Sequence, residues 1–575
     1  MRNVLLTAIF VGTFASGAAA LEGDAAGPPA AVPYSEIVDP PNDASGGAER
    51  HIVVKAEDRG PVWLTTGFLG NWHPDMDDKL IDWLAPRHWR DGLWPYWNPR
   101  HITVNPRPRW GDSRDSPQQL GQFMEAMMRL QADGMTWQLI LHHKGRYYDR
   151  YRITQDMLDD YYDHIYTLVK YCREMGAPFD YYEICNEPGV GPYEGIQGYS
   201  FRGTWQEFLG MWDTAYRAIR DAYPEAKIVG PSYGSCSAAM MEPFLAHCQK
   251  KGQTLEVLSW HEITQDKVTK GPGYQGANVV EPDKAHQNIM DIRRLVEAKY
   301  GDLGIQEYHI DEWGFTVEQT GPGTQIAYFY YFDLAGVDRA AKAHWTHYDL
   351  DGILVGPKTP RTSYWCWAEY ARQRGGLRLV TETNDRAVVA LASRHEHAKE
   401  MRVLVARSKR HTAEEFAKQL PPVKTRIDIE EMPFDGNVEI TTLTLGPDDG
   451  PLREEDLSAR TTRKTETVAD GSLHLTINQL AENQVVSFRI APPGTWATEA
   501  EAAENFAREQ RVLQRIDQGN PLPHLVFQEG FEKGFGERET VVGQRGWTIG
   551  AGDTSALRVF QDAQTAFAGN RYAQF

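Results

Sequence analysis

From about residue 61 to residue 375, short apolar runs alternate with longer amphipathic segments. βαβ units produce this rhythm, each strand feeding a helix that returns over a parallel sheet. Eight runs read as strands: Val62–Phe68, Leu93–Trp97, Thr136–Leu141, Tyr181–Cys185, Lys227–Gly230, Glu256–Trp260, Glu307–Ile310 and Ala343–Thr346. Helical segments fall between them. Asp77–Leu84 opens on acidic residues, favourable at a helix N-terminus, and Ser116–Ala132 opens on Ser-Pro, an N-cap with Pro at the first helical position. Thr154–Met175, Thr204–Ala222, Ala238–Lys250, Ala285–Lys299, Gln325–Ala335 and Ser363–Gln373 complete the set. Eight strand–helix pairs over about 300 residues predict an α/β fold, a (β/α)8 TIM barrel. A doubly wound open sheet fits less well, because no Gly-rich dinucleotide turn follows the first strand.

From about Leu377 to Pro493 the pattern changes. Arg402–Ala406, Thr425–Ile429, Val438–Leu445, Leu473–Ile477 and Val485–Ile490 are short, rich in Val, Ile and Thr, and separated by turn residues such as Pro433-Phe434-Asp435-Gly436. This predicts an antiparallel β-sandwich accessory domain over residues 377–493, after a barrel domain over 61–376. Residues 494–524 read as a helical linker, with a charged amphipathic stretch from Thr498 to Gln518. Residues 525–575 hold Gly and aromatics in patterns such as Phe531-Glu532-Lys533-Gly534-Phe535-Gly536. They resemble the opening strands of a concanavalin-like carbohydrate-binding module, about half of what a sandwich needs.

At the other end, Arg2 precedes an apolar run from Val4 to about Phe14, and small residues reach Ala18, Ala19 and Ala20. Residues 1–20 are expected to be a signal peptide cleaved after Ala20, with 21–60 a Pro/Gly/Ala-rich linker and lead-in. The run is too short to span a bilayer, so the expectation is a secreted or periplasmic protein without membrane insertion. The net charge of −19 argues against nucleic acid as a partner. Aromatics make up 11% of residues, enough to stack on sugar rings but equally the stuff of cores. Five cysteines, without a C-x-x-C pair, give no zinc framework. Cys236 and Cys248 are either a disulfide or free thiols. Oligomeric state is left open by the sequence.

TIM-barrel enzymes carry their chemistry at the C-terminal ends of strands. Here the fourth strand runs into Asn186-Glu187-Pro188 and the seventh into Asp311-Glu312-Trp313-Gly314. Each delivers one Glu to the same rim. Glycosidic bond cleavage needs two such carboxylates: one protonates the leaving oxygen, the other attacks the anomeric carbon or activates water. Asn186 stands beside the first and is placed to hydrogen-bond a sugar 2-hydroxyl. Either Glu alone reads as an ordinary surface charge; the pair at two strand ends is the specific signal.

Those residues, with Gly230-Pro231, Ser259-Trp260-His261 and Trp345-Thr346-His347-Tyr348-Asp349, make residues 60–375 similar to clan A glycoside hydrolases, most of all family 39, the β-xylosidase and α-L-iduronidase family. The sandwich that follows also resembles that family's accessory domain. The resemblance implies a retaining mechanism with Glu187 as acid/base and Glu312 as nucleophile, and no cofactor. The chain departs from the family pattern at Cys185, where Trp is usual, at Gly189, where Asn is usual, and at Leu350-Asp351-Gly352, which lacks the Glu common in xylosidases. The resemblance therefore implies a reaction and leaves the sugar open.

Further candidates sit at strand ends. His261 is placed to contact the nucleophile or the sugar, against the alternative of a satisfied core histidine. Trp345 is a candidate stacking platform, and His142, His143 and Trp313 are weaker substrate-binding candidates, each with core packing or solvent exposure as its alternative. His142 and His143 do not make a metal pair, because adjacent strand residues face opposite ways.

Arg100, Arg107, Arg109 and Arg114 follow the second predicted strand, and Lys144, Arg146, Arg150 and Arg152 the third. They either bind an anionic polysaccharide or pair with Asp112, Asp115 and Asp149. The expected partner is an oligo- or polysaccharide substrate, its charge undecided. Two other classes compete: a non-catalytic glycan-binding protein on the same scaffold, and a polysaccharide lyase, which wants a Tyr or His base near a uronate.

Overall fold

The computed structural model describes residues 49–61, 64–70, 78–91, 127, 129–131, 134–142, 152–174, 179–188, 196–197, 200–234, 236–262, 282–314, 321–343, 346–347, 352–356, 358–374, 376–395, 399–409, 420–447, 450–494, 558–561 and 571–574. The expected signal peptide, most of the 21–60 stretch, nearly all of the 494–524 stretch and nearly all of the 525–575 segment lie outside them. So do His143, Trp345 and the side chain of His142. Within the last segment, Arg558–Gln561 pairs antiparallel with Arg571–Gln574.

Eight parallel strands close into a barrel: β1 (Thr66–Leu69), β2 (His88–Asp91), β3 (Thr136–His142), β4 (Tyr181–Cys185), β5 (Lys227–Tyr233), β6 (Val257–Glu262), β7 (Glu307–Trp313) and β8 (Arg339–Lys342). Each strand pairs parallel with the next, and β8 closes on β1 through Ala340 and Thr66. Six strands fall where the hydrophobic pattern puts them. Two do not. The second strand is His88–Asp91, and the predicted Leu93–Trp97 lies outside the described residues. The eighth is Arg339–Lys342 rather than Ala343–Thr346; Thr346–His347 pairs instead in a small sheet with Leu354–Val355. Both true strands are four residues long and begin and end on polar residues, so neither stands out as an apolar run.

Alternation within the other strands explains the barrel. Trp89, Trp137, Leu139, Tyr182, Ile184, Ile228, Leu258, Trp260 and Ile310 point outward into one apolar core shared with the helices. Their polar neighbours Arg90, Gln138, Glu183, Ser259, His309 and Asp311 are just as buried. They meet one another by hydrogen bonds across the barrel interior. The small apolar cluster of Tyr181, Val229 and Val257 lies apart from the main core.

Helices α1 (Asp78–Leu84), α2 (Leu158–Glu174), α3 (Trp205–Ala222), α4 (Ala238–Lys251), α5 (Pro282–Lys299), α6 (Pro322–Leu334) and α7 (Thr362–Ala371) return between strands. Thr204 closes a capping box with Glu207 at the start of α3, which fixes the chain as it leaves the β4 loop. The helices α6 and α7 differ from the rest. All of α7 and α6 from Pro322 to Phe332 are buried. A helix apolar all round has partners on both sides.

The second partner is a nine-stranded sheet. It takes in Leu377–Thr383, Val388–His395, Glu400–Arg407, Val423–Ile429, Gly436–Leu445, Thr461–Val468, Leu473–Leu480 and Val485–Ala491. Its ninth strand, Arg50–Pro61, comes from before the barrel, within what the sequence marks as linker. This strand pairs antiparallel with Leu377–Thr383 and parallel with Val423–Ile429, so the sandwich is not wholly antiparallel. The sheet curls until Val438 and Ile440 share a core with Ile427 and Leu475 from its far end. Val388, Ala390 and Ala392 join that core, while Val389 and Leu391 between them join the barrel's. Strands buried on both faces lose their period-two signature, whereas Val423–Ile429 keeps it.

Polar bonds pin the two parts together. The N-cap of α6 is Gly321, which has no side chain to offer, and Asn483 of the sheet supplies one: its Oδ1 accepts from the Thr324 backbone N–H at 3.3 Å and from Thr324 Oγ1 at 2.7 Å. Asn483 holds a left-handed backbone with φ of 56°, which Asn tolerates better than Ala. Asn483→Ala is expected to cost about 1–2 kcal/mol through loss of the cap and of this tolerance. Equilibrium denaturation checks this; an unchanged midpoint would remove Asn483 from the capping role.

Candidate active site

The chemistry gathers at the C-terminal ends of β2, β4, β6 and β7. Arg90 of β2 lies at its base with its side chain fully buried. Its Nε and Nη2 donate to Glu183 of β4 at 2.6 and 2.7 Å, a bidentate pair. Nη2 also donates to Asn186 Oδ1 and lies 3.5 Å from His261 Nε2. Nη1 faces Glu312 Oε2 at 3.6 Å. Burial opposes the guanidinium's charge, but the Glu183 carboxylate, with Asp311 and Glu312 behind it, raises its pKa overall.

Above Arg90, His261 stands between the two glutamates. Its Nδ1 is 3.1 Å from Glu187 Oε1 and 3.7 Å from Glu312 Oε2. Burial pushes the imidazole down, yet the bond to Glu187 and the charge of Glu312 outweigh it and the pKa is raised. The two glutamates reach the surface, with 18% and 10% of their side chains exposed, while His261 is sealed. One carboxylate oxygen of each lies within 4.8 Å of the other and of His261.

Local backbone accounts for where Glu187 points. It leaves β4 in the left-handed region, φ 47°, and its N–H donates to Ser232 O at 3.0 Å. This conformation costs a non-glycine residue about 1 kcal/mol, so tertiary contacts must hold it. Gly234 makes the room: a Cβ there would sit 2.8 Å from Glu187 Oε1. On β7, Glu312 pairs in register with His261 of β6, which sets the two side by side.

Under the rim runs a string of buried polar groups. Gln138 Nε2 donates to Glu183 Oε2 at 2.7 Å and to Asp311 Oδ1 at 3.0 Å. Ser232 Oγ donates to Asp311 Oδ2 at 2.7 Å and lies 2.8 Å from Ser259 Oγ.

Of the residues singled out by sequence, Glu187, Glu312, Asn186 and His261 come together. Asn186 is 2% exposed, and besides Arg90 it engages Ser200 Oγ at 3.3 Å, so its amide is largely committed within the protein. Trp313 is a correction. It is 0% exposed and packs against Tyr328, Phe329, Phe332 and Trp367, because the residue after an inward Glu312 faces the helices. Arg152 is also accounted for, in an ion pair with Glu207 rather than with the aspartates proposed for it. The other seven basic residues of those two loops lie outside the described residues. Cys236 and Cys248 are free thiols, as are the other three cysteines. Arg90, Gln138, Glu183 and Gly234 were not apparent from the sequence, although the alternation in His88-Trp89-Arg90-Asp91 is a signal for the first.

Glu187, His261 and Glu312 offer ligand atoms close enough to hold a cation. The guanidinium of Arg90 already brings positive charge to 3.6 Å from Glu312 and 3.5 Å from His261 Nε2, so the donor set suits proton transfer better than metal binding.

No protein-family model and no curated sequence matches the chain. Solved structures do. One from Neocallimastix frontalis aligns with a TM-score of 0.57 and 16% identity over 77% of this chain and 100% of its own. The GH39 enzyme from Xanthomonas axonopodis pv. citri gives 0.56 and 13% over 79% and 99%. A monomeric β-xylosidase from Caulobacter crescentus gives 0.53 and 16% over 78% and 100%. At such identities the likeness is one of fold, and it spans those chains almost end to end.

Beside His261, Glu262 turns away from the pair of glutamates. Its Oε1 accepts from Trp260 Nε1 and Asn288 Nδ2, both at 2.8 Å. Burial raises its pKa to about 7 against those two bonds. The native state thus holds this proton more tightly than the unfolded chain. The stability it contributes is complete below about pH 4.5, the ordinary carboxyl value, and is lost as pH rises through 7. Relative to the parent, Glu262→Gln is expected to gain stability between pH 4.5 and 7.5, read from urea midpoints across that range. A constant difference would show that Glu262 is ionised in both states.

Proposed function

We propose that this protein is a retaining glycoside hydrolase acting on an oligo- or polysaccharide, with Glu187 as acid/base and Glu312 as nucleophile. The observation that carries the reading is the pair itself: two part-exposed carboxylates at the ends of β4 and β7, with oxygens within 4.8 Å. Retaining sites hold their carboxyls roughly 5–5.5 Å apart and inverting ones roughly 6.5–9.5 Å, to leave room for water. The names of the similar structures, a β-xylosidase and a GH39 enzyme among them, support the same class.

The groups divide the work. Arg90, fixed by Glu183, keeps positive charge 3.6 Å from Glu312, which favours the ionised form an attacking carboxylate needs. His261 Nδ1 lies in hydrogen-bond contact with Glu187 Oε1 at 3.1 Å and shares the space between the acids, so a proton taken up or released by Glu187 has a neighbour that responds. Attack by Glu312 on the anomeric carbon breaks the bond to the leaving oxygen, which takes its proton from Glu187. Water, deprotonated by Glu187, then releases the sugar with its configuration kept. The charged, apolar and small-residue pattern over residues 1–20, read as a leader, supports export to the medium or the periplasm.

Testing begins with a panel of aryl glycosides, xylosides included, and of neutral and uronate-containing polysaccharides. The anomer formed first, read by proton NMR, is expected to be that of the substrate; its inverse would overturn the role given to Glu312. Glu312→Gly is expected to lose about 10⁴-fold or more in kcat and to regain turnover with azide, which replaces the missing nucleophile. Unchanged hydrolysis in that variant would leave the protein a different catalytic residue or none.

Gly234→Ala isolates geometry from chemistry. The three atoms nearest to the added methyl all belong to the Glu187 side chain, which it displaces. The expected result is about a hundredfold fall in kcat/KM with the folding midpoint nearly unchanged. Parent-like kcat/KM would show that Glu187 acts from another position.

A further inference from the structure

We propose that Gln138 is a positioning residue that sets the spacing between Glu187 and Glu312; the proposal rests on the reading in which those two act together. Gln138 lies on β3, which carries neither glutamate, and it is 0% exposed. Its single amide nitrogen bridges two carboxylates, Glu183 at 2.7 Å and Asp311 at 3.0 Å. Glu183 lies four residues before Glu187 on β4, and Asp311 immediately precedes Glu312 on β7. One side chain thus ties the two glutamate-bearing strands across the barrel interior, a distance that no backbone pairing spans, since β4 and β7 are separated by β5 and β6 on one side.

Chemistry fixes the direction of the amide. Ionised carboxylates only accept, so the nitrogen end faces them. The oxygen end meets His309 Nδ1 at 3.3 Å, and His309 Nε2 is itself held by Glu307 at 3.0 Å. Gln138 therefore has no rotational freedom left to absorb a displacement. The second tether on each carboxylate is separate: Arg90 for Glu183, Ser232 for Asp311. Removing the amide takes away the direct tie between Glu183 and Asp311 while each acid keeps one partner; β4 and β7 stay joined lower down by Tyr181 Oη donating to Glu307 at 2.7 Å, so the change is confined to the level of the glutamates. A residue that merely fills the barrel would leave the catalytic spacing alone.

Gln138→Met keeps the volume and removes both donors. Crystal structures of variant and parent are expected to show the Glu187 and Glu312 oxygens farther apart in the variant, no longer within 4.8 Å of one another. Its kcat is expected to fall about ten- to a hundredfold while KM changes less than about threefold, the pattern of a misplaced reacting group rather than a lost binding contact. Gln138→Asn provides the second arm should the first variant fold poorly. It retains a polar amide but is one methylene too short to reach both acids, and the same shifts are expected. A lowered melting temperature with spacing and kcat unchanged in either variant overturns the proposal and makes Gln138 a structural filler. Should the parent hydrolyse no glycoside, the reading of the reaction fails, while the spacing in the variant crystals still decides what Gln138 does.

Discussion

A permanently charged guanidinium buried in the mouth of the barrel governs the rest of the site. Arginine does not shed its proton to escape desolvation, so Arg90 has to be surrounded by acceptors. Glu183 supplies two oxygens, Asn186 a third, and Glu312 lies opposite the remaining nitrogen. Those carboxylates need donors in turn, which brings in Gln138, and through Gln138 come Asp311, Ser232 and Ser259. One charge thereby accounts for a polar layer reaching across β2 to β7. It also explains why the apolar mass of the barrel lies outside the strands, against the helices.

The division shows which parts of the molecule its sequence discloses. Asn186-Glu187-Pro188 and Asp311-Glu312-Trp313-Gly314 are readable because strand ends in a barrel have a known direction, and β4 and β7 are apolar enough to be found. Arg90 is hidden because its strand is short and mostly polar, and local hydrophobicity favours Leu93–Trp97 over His88–Asp91. Gln138 is hidden although its strand is found, because only the closed barrel brings its amide to Glu183 and Asp311. Trp313 misleads because aromatic character alone does not tell a sugar platform from a core residue; its facing does, and facing requires the register of β7. The strand Arg50–Pro61 is invisible for a third reason. Its partners lie more than 300 residues away, and no local pattern encodes that pairing.

The same long-range pairing accounts for α6 and α7. Read as barrel helices they should show one apolar stripe, yet they are buried all round because the sheet covers what would be their solvent side. Close approach is built into the joint. Gly323 sits where a Cβ would lie 2.2 Å from the Arg407 carbonyl, and Gly321 where it would strike Asn483. Since α6 follows β7, the surface that steadies it also steadies the strand bearing Glu312.

The strand order carries a consequence for how such a molecule is dissected. Arg50–Pro61 lies beside Leu377–Thr383, so the chain enters and leaves the barrel at adjacent places in one sheet. In topology the barrel is an insertion between two neighbouring strands, and the sheet is a clasp fastened on both ends of it. Neither portion is a cassette. A gene fragment cut just ahead of the barrel would take an inner strand out of the sheet, and one ending at residue 376 would expose two helices that have never met water.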